Sequence, residues 1–213
     1  MKFDAIFFDS GGTLYGPCAG SDPSPEQVAA GRAARVHALL GAMGAHCDRG
    51  RVSEALVQQA VKCRHRLGAA YNFHQLLIAV IGELGLRLGA EAAACLADAY
   101  AGPRYASWLF PGTVEALRDL SEKGFKLGII ANTAWPGFCM DRAFAGVGLL
   151  PYLRCRVYSG DVGMAKPDPA IFHVAERLAG VAGKRMLYVG NDREADIKGA
   201  ADVGWSTAFR RSG

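Results

Sequence analysis

Short apolar runs bounded by turn residues alternate with stretches of helical periodicity through the second half of the chain. The runs are Phe3–Phe8, Lys126–Ala131, Cys155–Ser159, Met186–Gly190 and Ser206–Phe209, and each has the length and flanks of a buried strand. Between them Val114–Lys123, Ala170–Leu178 and Glu194–Val203 repeat apolar residues at helical spacing. This order predicts an α/β fold, a parallel sheet with helices on both faces.

Residues 15 to 108 break that rhythm. They hold no convincing strand and repeat apolar positions three and four apart, as in Val36, Leu39 and Leu40, then Leu76, Leu77, Val80 and Ile81. The pattern predicts a small helical bundle inserted directly after the first strand. Ser21–Pro25 leads into it and Pro103–Pro111 leads out. The expected division is therefore a core from 1–14 and 109–213 and a helical cap from 15–108.

Composition narrows the classes. The chain has 213 residues, 51% of them hydrophobic, enough for a sizeable core. The longest clean apolar run, Leu76 to Ile81, is too short to cross a bilayer, and the first residues lead straight into a strand without a secretory pattern. The six cysteines lack CxxC or ligand-like spacing, so they read as reduced packing residues of a cytoplasmic protein. A net charge of +4 without clustering offers no basic stripe for nucleic acid. The expected partner is a small molecule, and the chain is expected to be a monomer or homodimer.

Three separated clusters would meet if each lies at the C-terminal end of its strand, where open α/β sheets bind ligands. Asp9 follows the first strand and enters the turn Ser10-Gly11-Gly12-Thr13-Leu14. Glycines there let backbone N–H groups approach an anion, so a carboxylate nucleophile stands beside a candidate phosphate cradle. Lys166 supplies a counter-charge that lets an anion approach Asp9. Asn191, Asp192 and Asp196 follow the fourth strand, and their oxygens suit magnesium, which takes carboxylate, carbonyl and water ligands.

These motifs, in this order, resemble the haloacid dehalogenase superfamily. The likeness rests on an Asp-x-x-Gly-Thr-Leu first motif at Asp9, a helical insertion after it, and a strand ending before Asn132. It continues with Lys166-Pro167-Asp168-Pro169 and the Gly190-to-Asp196 loop. The resemblance implies a Rossmann-like, doubly wound core in which Asp9 attacks the substrate and water hydrolyses the aspartyl intermediate. It implies phosphate or substrate contacts from Gly12, Thr13, Asn132 and Lys166. It also implies a magnesium site built on Asp9, the Gly11 carbonyl, Asn191 and Asp196, with Asp192 as a candidate substitute ligand.

Three positions depart from the family pattern. Gly11 stands where phosphatases carry the acid/base aspartate, Ala131 where the second motif has Ser or Thr, and Asn191 where the fourth has its first aspartate. A lost general acid removes roughly 10²–10⁴-fold. The leading expectation is therefore a hydrolase acting on a small activated phosphorylated metabolite. A metal-independent dehalogenase and a ligand-binding protein that no longer turns over are the alternatives. The cap holds four of the five histidines (His37, His46, His65 and His74) and a single lysine, Lys62. Arg64, Arg66, Tyr71 and Tyr105 are further candidates there for a substrate contact or a proton, and Thr133 is a candidate replacement for the missing hydroxyl at Ala131.

Overall fold

The computed structural model describes residues 2–16, 23–103 and 106–211. Its sheet has five strands, β1 (Ala5–Phe8), β2 (Lys126–Ala131), β3 (Cys155–Tyr158), β4 (Met186–Gly190) and β5 (Ser206–Phe209), all parallel in the order β3-β2-β1-β4-β5. The expected strands are all present, with β1 and β3 trimmed at their ends. Because β1 lies centrally and the chain winds outward on either side of it, its C-terminal end opens into a crevice. Register fixes what meets there: Phe8 is level with Ile129 and Val189, so Asp9 emerges between the ends of β2 and β4.

Alternation along β1 sends its residues to two cores. Ala5 and Phe7 pack with Ile130, Phe172, Tyr188 and Trp205 on one face. Ile6 and Phe8 join the larger core on the other face, which runs on into the inserted helices.

The insertion comprises α1 (Pro25–Ala42), α2 (Arg49–Leu67), α3 (Phe73–Glu83) and α4 (Ala90–Ala101). Their starts follow local chemistry: Ser24 forms a capping box with Gln27 ahead of Pro25, and Asp48 and Asn72 cap α2 and α3. The inbound and outbound segments lie side by side. Gly16 N–H donates to the Trp108 carbonyl at 3.0 Å, Tyr15 bridges to Leu109, and Phe110 N–H donates to the Leu14 carbonyl at 3.1 Å. A second tether lies at the start of α3, where Asn72 Nδ2 donates to the Gly160 carbonyl at 2.8 Å and Phe73 N–H to that of Ala134 at 2.8 Å.

Thereafter α5 (Thr113–Glu122) precedes β2, and α6 (Gly137–Gly146) links β2 to β3. The short α7 (Ser159–Val162) and α8 (Pro169–Ala179) lie between β3 and β4. The stretch expected as one helix over Glu194–Val203 is instead a π-helical turn, Arg193–Lys198, followed by α9 (Gly199–Asp202). Among the described residues no helix is long and apolar enough to cross a membrane.

Candidate active site

Lys166 is the hub. Its ammonium lies 2.8 Å from Asp9 Oδ1, 2.7 Å from Asp196 Oδ1 and 2.7 Å from the Tyr188 hydroxyl. A lysine has three N–H donors, and all three are spent. The three groups expected to converge from separate strand ends do so. Two carboxylates against one ammonium leave one net negative charge when all are ionised. Burial lifts the Asp9 carboxyl above its usual range; the charge and hydrogen bond of Lys166 oppose that rise, and the Asp196 charge adds to it.

Each partner is itself fixed. Tyr188 is fully buried and donates to the Ile130 carbonyl at 2.9 Å. Burial, reinforced by the charges of Asp196 and Asp9, keeps its hydroxyl protonated. Asp196 uses its second oxygen to accept the N–H groups of Asn191 and Asp192 at 3.0 and 2.9 Å. The π-helical turn allows this: Ile197 N–H reaches five residues back to the Asp192 carbonyl, which folds Asp196 under its own loop. Gly190 is required there, because a Cβ at that position would lie 2.4 Å from the side chain of Asp196.

Asn132 clamps Lys166 from outside, its Oδ1 accepting the Lys166 N–H and its Nδ2 donating to the Lys166 carbonyl, both at 2.8 Å. Its amide is thus committed to the backbone of the lysine. The Gly12 and Thr13 N–H groups close the turn on the carbonyls of Tyr15 and Ser10. Gly12 serves a different need. At φ +84° it lies so close to Asn191 that a Cβ would fall 2.4 Å from the amide. From the other side, Arg210 donates to the Gly12 carbonyl at 2.7 Å and stacks over Phe110 at 3.7 Å. Tyr188 and Arg210 were not foreseen; a lone hydroxyl inside the apolar strand Met-Leu-Tyr-Val-Gly was the available signal for Tyr188.

The remaining candidates sort by position. One terminal atom of the Asn191 carboxamide stands 3.2 Å from Asp9 Oδ2, 3.1 Å from the Gly11 carbonyl oxygen and 3.1 Å from Thr13 Oγ1. Asp192 spends a carboxylate oxygen on the N–H groups of Glu194 and Ala195, capping the π-helical turn. The Thr133 hydroxyl accepts from Trp135 N–H. Lys62, Arg64, His65 and Arg66 are exposed on α2, as is His46 beyond α1, while His37 bonds the Cys47 carbonyl and His74 that of Ala90 at the start of α4. Tyr71 is buried beneath the Arg64 guanidinium. Tyr105 and Cys18 lie outside the described residues, as do Ser21 and Asp22.

Among the described residues no group of three or more His, Cys, Asp or Glu side chains could hold a metal ion, so any cation must use a mixed donor set. Asp196 is consumed by Lys166 and its own loop, leaving Asp9 Oδ2, the Gly11 carbonyl and Asn191. Ligand oxygens that are neighbours in a magnesium octahedron lie about 3 Å apart, given metal–oxygen bonds of about 2.0–2.1 Å. The Asn191 terminal atom meets that spacing to both other oxygens, so a set of one carboxylate, one carbonyl and one amide oxygen fits magnesium when phosphate and water complete it.

The chain belongs to the haloacid dehalogenase-like hydrolases, whose family model matches residues 3–204. It is 29% identical over 216 residues to a glyceraldehyde 3-phosphate phosphatase of Methanopyrus kandleri, covering 98% of this chain and 84% of that protein. A phosphoserine phosphatase of Thermus thermophilus is 31% identical over 114 residues, 54% of this chain and 45% of that one. Among solved structures, a 2-haloacid dehalogenase from Pseudomonas syringae superposes with a TM-score of 0.61 at 22% identity, covering 97% and 86% of the two chains. A phosphatase of the same family from Thermococcus onnurineus gives 0.57 at 22%, covering 99% and 88%. These structural likenesses establish the shared fold.

Proposed function

We propose that the protein is a phosphohydrolase that transfers a phosphoryl group from a small, activated phosphorylated metabolite to Asp9 and then to water. The observation that carries this reading is the state of Asp9. One oxygen is pinned at 2.8 Å by an ammonium that Asp196 and Tyr188 hold in place on a lysine whose backbone Asn132 clamps, while the other lies 3.2 Å from the Asn191 carboxamide. A nucleophile oriented in this way needs no rearrangement before attack. Lys166 offsets the charge that would repel a phosphate dianion. Magnesium, held by Asp9, the Gly11 carbonyl and Asn191, would supply further charge neutralisation at the transferring group. Helices α1–α4 act as the cap, and a reducing compartment such as the cytoplasm suits the free thiols of the five described cysteines.

Gly11 decides the substrate class. No side chain at that position can protonate a leaving group, so acyl phosphates and other good leaving groups are favoured over alkyl esters such as those named for the relatives. The test compares acetyl phosphate, glyceraldehyde 3-phosphate, phosphoserine and 2-haloacids, with and without magnesium, against Asp9→Asn. Acetyl phosphate should turn over fastest, lose all turnover in Asp9→Asn, and exceed the alkyl esters by roughly 10²-fold or more, the scale of one missing general acid. Halide release without metal would make it a dehalogenase. Ligand-induced thermal stabilisation without turnover would make it a binding protein.

A further inference from the structure

The three close contacts of the Asn191 terminal atom have two chemically distinct solutions. With oxygen in that position, the atom faces Asp9 Oδ2 at 3.2 Å and the Gly11 carbonyl at 3.1 Å, and no hydrogen lies between them. Those oxygens repel unless a cation sits among them. With nitrogen in that position, its two hydrogens point at acceptors and the whole network is satisfied without any ion. A half-turn about the last side-chain torsion exchanges the two, and that torsion is broad and soft in asparagine. Thr13 Oγ1, 3.1 Å away, donates its hydroxyl hydrogen to the oxygen in the first state and competes for the two N–H groups in the second.

An aspartate in this place would have no second solution, since both of its ends are acceptors. Beyond a backbone bond from Ser10 to the Asp9 carboxylate, the charged neighbours are already engaged. Lys166 has spent its three N–H groups, and Asp196 is already paired to Lys166 and to two backbone N–H groups. Position 191 is therefore the side chain placed to balance the second oxygen of Asp9.

We propose that the Asn191 carboxamide is a reversible plug of the cation site, with its NH2 turned onto Asp9 and Gly11 in the cation-free protein and its oxygen turned inward when magnesium enters. The inference rests on the reading of Asp9, Gly11 and Asn191 as the cation site. Magnesium must displace a charge-assisted N–H···O⁻ bond and meets one carboxylate rather than two. Loading is therefore weak and reversible, and the empty site is stable. Substrate phosphate, which brings its own oxygens, favours the oxygen-inward state and couples loading to substrate arrival.

The test compares wild type with Asn191→Asp and Asn191→Ala, all stripped with chelator, by thermal melting, magnesium calorimetry and the side-chain amide resonances of Asn191. Metal-free Asn191→Asp should melt below wild type, bind magnesium about tenfold or more tightly, as ligand charge dictates, and overtake wild type once loaded. Asn191→Ala should lose the magnesium response. The Asn191 amide resonances should shift on loading as the N–H groups leave the carboxylate. Equal metal-free melting of wild type and Asn191→Asp, equal magnesium affinities, or amide resonances unmoved at saturation would overturn the plug. The hydrolase reading is judged separately by turnover in wild type against Asp9→Asn, so either idea can fail while the other stands.

Discussion

Removing a single oxygen from Tyr188 isolates the support of Lys166. In Tyr188→Phe the ring still fills its place against Phe172 and Trp205, so no cavity larger than a hydroxyl opens. Two hydrogen bonds disappear, the 2.7 Å bond from Lys166 and the 2.9 Å bond to the Ile130 carbonyl. The bond to a charged group is worth about 1.5–3 kcal/mol and the neutral one about 0.5–1.5 kcal/mol, so the expected loss is about 2–4.5 kcal/mol. That is survivable for a domain with about 5–15 kcal/mol of stability. Urea denaturation should show a lower midpoint at unchanged slope, since the buried surface is conserved. Lys166 then keeps its two carboxylates but loses its third anchor. A displacement of about 1 Å in a catalytic group costs up to ~10²-fold, so kcat on acetyl phosphate should fall by about 10–10²-fold with little change in KM. A stability loss below about 0.5 kcal/mol, beneath any bond to a buried charge, together with an unchanged kcat, would refute the idea that Tyr188 positions the lysine.

Gly11→Asp should raise alkyl-phosphate hydrolysis by at least ~10²-fold, the lower end for a restored general acid; a Cβ there meets only the Tyr15 ring, at 3.9 Å, and an unchanged rate would mean that position 11 does not face the leaving group. Gly12→Ala should cost at least about 1–2 kcal/mol for its left-handed backbone and displace Asn191, abolishing the magnesium-induced melting shift; a shift equal to wild type would argue against that contact. Arg185 bonds Asp4 and holds its carboxyl below the ordinary 3.8, so the contribution is present above that pH and fades as pH falls through the depressed value. Arg185→Ala should accordingly melt lower than wild type near neutrality and match it in acid, and a gap that persists in acid would exclude this pair as the cause. Burial pushes the Cys139 thiol up to about 12, whereas Cys95 is exposed; peptide mapping after brief iodoacetamide treatment should find Cys95 modified well before Cys139.

The strands and the meeting of Asp9, Lys166 and Asp196 were legible because both follow from local signals. Apolar runs mark strands, and parallel strands in one sheet present their C-terminal ends together. Helix α6 was not legible: glycines occupy both its ends, and Pro136 precedes it without a side-chain cap. The π-helical turn was invisible because it answers to a tertiary demand, the carboxylate of Asp196 meeting the ammonium of Lys166. Asn132 shows the same limit. Its place at the end of β2 could be read, but whether its amide addresses a ligand or the backbone of Lys166 depends on a loop 34 residues away. Asp192 carries the chemistry of a ligand in sequence, and in the structure one of its oxygens caps its own turn.

The side-by-side pairing at Tyr15 and Leu109 makes the inserted helices topologically a lobe on a stem. The two crossing backbone bonds close the stem, and Asn72 and Phe73 give the lobe a second hold on the core. Loop-closure entropy rises only slowly with length, so longer connections inside the lobe would leave the register of β1 in place as long as both holds are kept. The lysine-centred charge cluster takes its bonds from strand ends and their loops, at Asp9, Tyr188 and Asp196, and not from the lobe.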